Sequence, residues 1–147
     1  MGKEINNAEF KDCLKRNKIV PFPAAKKLAV REFKTAGEDL DAASESLKRG
    51  RDKWATIQAY YAMFHAARSL LYSRGLREKS HYCLIVAMKA IFVQEKILDL
   101  RLVEAFQMAK ILRENADYQD EYSSDSAKVL VRKAQEFLQT AERILKK

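Results

Sequence analysis

The sequence predicts an all-α protein: an antiparallel up-and-down bundle of four to five long helices, preceded by a short N-terminal helix or arm. Both prolines of the 147-residue chain lie early, at Pro21 and Pro23. Beyond them no proline removes a backbone N–H donor, so helices can continue uninterrupted. Hydrophobic residues make up 48% of the chain and recur at three- and four-residue steps, the spacing of amphipathic helices. This length and composition favour one domain with a buried core.

The first 23 residues are predicted to differ from the rest of the chain. They are rich in charge and end in the Pro21-Phe22-Pro23 break. We interpret residues 1–23 as a loosely attached N-terminal arm with a short helix near Ala8 to Leu14, because chain ends are ordered only where something ties them down. Residues 24–147 are predicted to form the helical bundle, and no strand-like alternation is evident.

The first two long helices of the bundle are separated by Gly50. The segment from Ala24 to Arg49 carries its apolar residues on one face, and Gly50 is suited to end that helix. The segment from Asp52 to Arg74 is apolar on most sides and contains a stripe of alanines. We therefore expect it to be the central and most buried helix, ending at Gly75.

Three further helical segments follow this central helix. Ser80 is suited to cap the first of them, which runs to about Lys96. The second extends from about Leu100 to Tyr118. Ser123 begins the last one, in which the apolar positions match the helical template at every step.

Charge and cysteine content restrict the function classes. The chain has 28 Lys and Arg against 20 Asp and Glu, a net charge of +8, which favours polyanions or acidic partners but fits an ordinary basic surface equally well. Cys13 and Cys83 lie far apart without a CxxC motif, so we expect reduced thiols and no zinc site. No apolar run reaches the roughly 18–20 residues of a membrane span. We expect a cytoplasmic protein without a cofactor.

Polar residues are predicted to meet at one end of the bundle. In an antiparallel hairpin, positions equidistant from the turn lie at the same height. His81 and Arg113 are each sixteen residues from a turn near Ile97, so we expect them to lie near each other. The turn around Gly75 is expected to lie at the same end. The residues predicted to bind nucleotide or phosphate there are Arg68, Arg74, Arg77, Lys79 and Asn115.

Arg113 is the residue that makes this polar end a candidate site. It occupies a position where the helical pattern calls for an apolar residue, and an unpaired guanidinium there would carry a desolvation cost of several kcal/mol. A salt bridge to Asp117, one turn on, is a purely structural explanation. His65 is interpreted as a hydrogen-bonded core histidine. It lies too far in sequence from the only other histidine to form a metal motif.

Three stretches of the sequence carry a family resemblance. They are Ala59-Tyr60-Tyr61-Ala62-Met63-Phe64-His65-Ala66-Ala67-Arg68-Ser69-Leu70-Leu71, then Gly75-Leu76 with Lys79-Ser80-His81, and Arg113-Glu114-Asn115-Ala116-Asp117-Tyr118. Together they resemble the HEPN domain family, specifically its small stand-alone prokaryotic members, from about Ala24 to the C-terminus. The resemblance implies a helical bundle that dimerises. It also implies a separately encoded minimal nucleotidyltransferase as partner, in a toxin–antitoxin-like pair whose active HEPN member is an RNase.

The sequence departs from the family pattern at one functional position. In active HEPN ribonucleases an arginine is followed four to six residues later by a histidine, and two copies form a metal-independent site across a dimer. Arg113 matches the arginine, but Tyr118 occupies the fifth position after it and no histidine follows His81. An unperturbed tyrosine, with a pKa of about 10, is a poor general base. Arg113 can still stabilise negative charge on a phosphate.

Three functions therefore stay open on the sequence. The favoured one is a dimeric module that binds nucleotide or RNA phosphate and works with a minimal nucleotidyltransferase. The second is a metal-independent endoribonuclease that uses Arg113 with His81 or Tyr118. The third is a structural or interaction protein without a site. In some family pairs the partner adenylylates a tyrosine near the motif, which makes Tyr118 and Tyr122 candidates.

Overall fold

The computed structural model describes residues 7–147. Its elements in chain order are α1 (Ala8–Lys15), β1 (Ile19–Pro21), α2 (Ala25–Lys48), α3 (Asp52–Ser73), β2 (Leu76–Glu78), α4 (His81–Ala87), a π-helical segment (Met88–Val93), α5 (Leu100–Tyr118) and α6 (Ser124–Leu145). The all-α prediction is confirmed, and the predicted bounds of α2, α3 and α5 agree with the structure to within one residue.

Helix α3 is the central helix of the bundle, as predicted. It packs against α2, α5 and α6, and 12 of its 22 residues are buried. Its alanine stripe, which includes Ala59 and Ala62, is fully buried, and so are Ala36 and Ala43 of α2. Small side chains on both helices allow the two backbones to approach closely.

The predicted helix ends are also confirmed. The Ser80 hydroxyl accepts a hydrogen bond from the Cys83 backbone N–H at 3.0 Å, and the Ser123 hydroxyl accepts one from the Ser126 N–H at 3.0 Å. Gly50 and Gly75 follow α2 and α3 with φ angles of 73° and 74°, a conformation that glycine adopts without steric cost. These local signals explain why the long helices begin and end where the sequence predicts.

The N-terminal segment is anchored to the bundle, in contrast to the predicted loose attachment. Its first six residues lie outside the described part, but the short helix expected near Ala8 is present as α1. Phe10 is 5% exposed. Strand β1 pairs antiparallel with β2, with Ile19 opposite Glu78. Strands of three residues are too short to show an alternating pattern, which is why they were not predicted.

The expectation of two reduced cysteines is wrong. Cys13 of α1 and Cys83 of α4 form a disulfide, with their Cα atoms 5.9 Å apart. The two residues are separated by 70 positions, so only the tertiary packing of α1 against the start of α4 brings them together. Spacing alone cannot reveal such a pair. Within residues 7–147, no helix is long and apolar enough to cross a membrane.

Candidate functional site

The Arg113 guanidinium lies among three tyrosine rings. Its Cζ atom is 5.1 Å from the centre of the Tyr60 ring, 5.6 Å from that of Tyr61 and 5.8 Å from that of Tyr118. Tyr60 and Tyr61 belong to α3, whereas Tyr118 ends α5. The Arg113 side chain is only 14% exposed. Aromatic faces attract a cation without using its N–H donors, so this packing holds the charge and leaves donors available.

Few hydrogen bonds hold Arg113. Its Nη1 donates to Asp117 Oδ2 and to the Tyr118 hydroxyl, both at 3.5 Å, longer than the usual range of about 2.7–3.2 Å. Its Nε is buried and has no partner among residues 7–147. The predicted ion pair with Asp117 is present, but a helix-surface pair contributes only about 0.2–0.5 kcal/mol. Arg113 is therefore poorly satisfied by its own chain.

His81 lies at the start of α4 and contacts Tyr60, one of the three tyrosines around Arg113. Its Nδ1 is 2.9 Å from the Tyr60 hydroxyl, and its ring centre is 5.2 Å from that of Phe106. Its Nε2 is buried without a hydrogen-bond partner in the described chain. Burial and the nearby positive charges of Lys110 and Arg113 lower the pKa of His81 to about 4. The imidazole is therefore neutral at neutral pH.

Tyr60 connects His81 to Arg113, because its hydroxyl contacts the first and its ring contacts the second. Burial raises the pKa of Tyr60 to about 12, so the hydroxyl stays protonated. It can therefore donate a hydrogen bond to His81 Nδ1. The proton of the neutral imidazole then lies on Nε2. Tyr60 belongs to the resemblance but was not predicted as a site residue. The signal available for it was a hydroxyl on the most buried helix, which needs a partner.

Arg68, one of the predicted phosphate-binding residues, lies near this site but is engaged elsewhere. It donates to Glu78 Oε2 from Nε at 3.0 Å and from Nη2 at 2.8 Å. Its Cζ is 4.5 Å from the centre of the Phe64 ring, which also stacks on His81 at 6.1 Å. We interpret Arg68 as a structural residue, because it is partly buried and its guanidinium is already paired with the Glu78 carboxylate.

The other predicted cations do not contact Arg113. Arg74 pairs with Glu95 at 2.7 Å, and Arg77 lies over the Phe22 ring at 5.1 Å. Lys79 is exposed. Arg74 follows Tyr60 by 14 residues, which corresponds to about 21 Å along the helix. The prediction that one end of the bundle gathers all these cations is therefore wrong.

The path of the chain after Gly75 explains why these cations do not gather at one end of the bundle. After Gly75 the chain does not enter the next helix directly but forms β2, which contacts α3 and places Glu78 beside Arg68. Helix α4 therefore begins beside Tyr60, well back along α3. Asn115 lines a small cavity of about 180 Å³ together with Tyr122, and Arg113 is not among the residues that line it.

His65 is a hydrogen-bonded histidine, as interpreted from the sequence. Its Nδ1 lies 2.5 Å from Glu32 Oε2, and its Nε2 lies 3.7 Å from Asp39 Oδ2. Both carboxylates belong to α2, so His65 ties α3 to its main packing partner. Residues 7–147 contain no group of three or more His, Cys, Asp or Glu side chains arranged to hold a metal ion.

The sequence from residue 30 to residue 146 matches the HEPN domain family. This span includes most of α2 and all of the elements that position Tyr60, His81 and Arg113. The chain belongs to the HEPN domain family. The resemblance carried by the three stretches around these residues is thereby confirmed.

Proteins similar in sequence to this chain come from two organisms. A Methanocaldococcus jannaschii protein named "Putative toxin MJ0605" is 30% identical over 112 residues, which cover 76% of this chain and 84% of the relative. A Thermotoga maritima protein named "UPF0332 protein" is 30% identical over 112 residues, which cover 75% of this chain and 85% of the relative. A second M. jannaschii protein, named "Putative toxin MJ0142", is 28% identical over 94 residues.

Proposed function

We propose that this HEPN protein is a dimeric module that binds the phosphate of a nucleotide or RNA at Arg113 and works with a minimal nucleotidyltransferase in a toxin–antitoxin-like pair. The observation that carries the proposal is the condition of Arg113. It is held by three tyrosine rings, its Nη1 bonds are long, and its Nε has no partner among the described residues. A phosphate offers the acceptor oxygens that a guanidinium matches in pairs.

The rings around Arg113 favour a nucleotide over a bare anion. Tyr118 is 71% exposed and Tyr61 is 36% exposed, so both present ring surface to solvent beside the cation. A nucleobase that stacks on an aromatic side chain gains about 1–3 kcal/mol. A phosphate on Arg113 with a base on Tyr118 would use both features of the site.

A binding role fits the site better than RNA cleavage does. Cleavage requires a group that accepts a proton from the ribose 2′-hydroxyl near neutral pH. His81, with a pKa of about 4 and a buried Nε2, is a weak base, and Tyr60, with a pKa of about 12, stays protonated. The alternative, a metal-independent endoribonuclease, is favoured only by the exposed Tyr118 hydroxyl, which lies 3.5 Å from Arg113 Nη1.

Dimerisation is proposed from family membership and from the surface of α5. Met108 and Ile111 of this helix are 52% and 51% exposed. They lie three residues apart, and so on one face of the helix, where contiguous apolar surface can form a contact with a second copy. A symmetric dimer contact through Met108 and Ile111 would bring the α5 helices of two copies together. Arg113 lies on this helix. A cytoplasmic location stays a prediction.

The test is binding of a short single-stranded RNA and of ATP, followed by fluorescence anisotropy and calorimetry. Arg113→Ala should weaken binding by about tenfold or more, the loss expected for a charge-assisted bond to phosphate. Arg31, an exposed arginine of α2, provides the control, and Arg31→Ala should change binding little. Unchanged binding by Arg113→Ala, with only a lower melting temperature, would instead support a structural role.

The same samples distinguish the enzymatic alternative. Incubation of RNA with the protein and a chelator should leave the RNA intact, and cleavage that Arg113→Ala abolishes would favour the endoribonuclease. Co-expression with a nucleotidyltransferase encoded beside this gene tests the partner. Co-purification of the two proteins is expected, and intact-mass spectrometry would show whether Tyr118 or Tyr122 gains an adenylyl group.

A further inference from the structure

A second surface rich in positive charge lies far from Arg113, where α3 ends. A depression of about 530 Å³ is lined there by side chains from the end of α3, from the turn after the π-helical segment and from the end of α6. Every charged side chain in its lining is positive. The polar residues of this lining are Ser73, Arg74, Lys96, Thr140, Arg143 and Lys147.

The cations of this depression differ in how far the protein satisfies them. Arg74 is fixed by Glu95, with two hydrogen bonds of 2.9 and 2.7 Å. Arg143 donates only to the Thr140 hydroxyl, at 3.3 Å. Neither Arg143 nor Lys96 forms an ion pair with a carboxylate of residues 7–147. One arginine is thus held in place while two neighbouring cations lack counter-charges, so the depression attracts anions.

Lys96 adopts an unusual backbone conformation for a lysine. Its φ angle is 65°, in the left-handed region that costs an L residue about 1–2 kcal/mol and costs glycine nothing. The other two non-glycine residues with positive φ in the described chain are Asn17 and Asp120, types that tolerate this region. Its backbone hydrogen bonds explain the conformation, because the Ile97 N–H donates to the Phe92 carbonyl at 3.1 Å and Lys96 occupies the left-handed position that ends a helix. Glycine is the residue usually found there, so the turn itself does not call for a lysine, and the Lys96 side chain lines the depression beside Arg74 and Arg143.

A second depression of about 810 Å³ adjoins the first and shares Lys96, Thr140 and Arg143 with it. Its remaining charges are balanced, because Arg101 lies 3.7 Å from Asp99 and Lys133 lies 3.7 Å from Glu136. The positive depression suits the charged end of a ligand, and the balanced one suits a polar but less charged part. Each has the size of a small-molecule site.

We propose that the depression formed by Arg74, Lys96 and Arg143 binds the phosphate end of a phosphorylated ligand, at a site separate from Arg113. Arg143 can offer paired N–H donors to phosphate oxygens and the Lys96 ammonium adds a point charge, while Arg74, whose Nη1 and Nη2 both donate to Glu95, forms a wall of the depression. The ligand is a free nucleotide or the terminal phosphate of an RNA, which present the same chemistry. This site does not depend on the function of Arg113.

The experiment uses the full chain with Arg113→Ala, so that binding at the first site does not contribute. ATP, a 5′-phosphorylated RNA oligonucleotide and the same oligonucleotide with a 5′-hydroxyl are titrated, and the amide shifts of Lys96 and Arg143 are followed by NMR. Shifts with ATP alone identify a free nucleotide as the ligand. Shifts that require the 5′-phosphate of the RNA identify an RNA end.

Two substitutions test the assigned residues. Lys96→Gly removes the ammonium and relieves the backbone conformation, so affinity should fall by about fivefold or more while the melting temperature stays unchanged or rises. Arg143→Ala should weaken binding to a similar degree. Lys128→Ala, an exposed lysine near the other end of α6, should leave affinity unchanged. The proposal is overturned if neither ATP nor phosphorylated RNA binds more tightly than about 1 mM, or if Lys96→Gly and Arg143→Ala bind like the parent.

Discussion

The Tyr60 hydroxyl lies 2.9 Å from His81 Nδ1, and the ring of the same tyrosine faces the Arg113 guanidinium at 5.1 Å. Tyr60, a residue of the central helix α3, thereby contacts both α4 and α5. Three buried side-chain atoms lack a hydrogen-bond partner among residues 7–147, and two of them, His81 Nε2 and Arg113 Nε, belong to this group. Unsatisfied donors are concentrated here because the site is built around rings and not around carboxylates.

The neutral state of His81 predicts a pH dependence of stability. The folded-state pKa of His81 is lowered to about 4, whereas an unfolded histidine titrates near 6.5. Between these values the unfolded chain binds more protons than the folded one, so the free energy of unfolding should fall as pH drops from about 6.5 to about 4. Urea unfolding at several pH values should show a smaller decline for His81→Gln than for the parent protein. An NMR titration that places the His81 pKa near 6.5 would contradict the prediction.

Tyr118 separates binding from cleavage, because its ring and its hydroxyl have different roles in the two functions. If the exposed ring stacks on a base, Tyr118→Ala should weaken RNA binding by about tenfold, and Tyr118→Phe should keep most of the affinity. If the hydroxyl takes part in cleavage, Tyr118→Phe should remove RNA cleavage while binding persists. Anisotropy and a gel-based cleavage assay on the same three proteins give both readings. Full affinity in Tyr118→Ala would exclude stacking at this position.

The long helices could be predicted because their signals are local. Apolar residues at helical spacing define α2, α3, α5 and α6, and the caps at Ser80 and Ser123 lie within a few residues of the backbone groups that they satisfy. Such signals act within one or two turns, so the order of the sequence is enough to locate them.

The site could be predicted only in part, because its remaining features depend on the path between helices. Equal distance from the turn near Ile97 correctly relates His81 to Arg113, and both contact Tyr60. The position of Arg74 depends on β2, a three-residue strand without a sequence pattern, and the Cys13–Cys83 bond depends on where α1 docks. Long-range contacts of this kind leave no trace in spacing or composition.

The disulfide between Cys13 and Cys83 should stabilise the protein by closing a long loop. The two cysteines are 70 residues apart, and disulfides typically contribute about 2–4 kcal/mol, more for longer loops. Cys13→Ser should therefore lower the free energy of unfolding by about that amount in the absence of reductant. The parent protein should show the same loss after reduction, and Cys13→Ser should then lose nothing further.

Mass spectrometry after alkylation in denaturant without reductant provides the control for this prediction. No alkyl group should add to Cys13 or Cys83 of the unfolded parent protein until a reductant is present, whereas Cys83 should react in Cys13→Ser. If both cysteines of the unreduced, unfolded parent are alkylated, the bond is absent.

The ion pair between Arg68 and Glu78 should contribute more to stability than the surface pairs do. The Glu78 side chain is 4% exposed and that of Arg68 is 28% exposed, with 2.8 Å between Nη2 and Oε2. Glu78→Ala would leave Arg68 with only Glu32, at 3.6 Å. Removal of one partner from a buried pair costs about 3–5 kcal/mol. Because Arg68 is partly solvated, we expect a loss of about 2–3 kcal/mol, measured by urea unfolding.

The matched control is the exposed pair of Arg49 and Glu45, which has the same separation of 2.8 Å but side chains that are 62% and 57% exposed. Glu45→Ala should cost no more than about 0.5 kcal/mol, because water screens the charges. The double variant Arg68→Met with Glu78→Met should recover much of the stability lost in Glu78→Ala, since the cost arises from a stranded charge and not from a missing attraction. A loss in Glu78→Ala no larger than that in Glu45→Ala would show that solvent already satisfies Arg68, and that β2 is held to α3 by its backbone and apolar contacts alone.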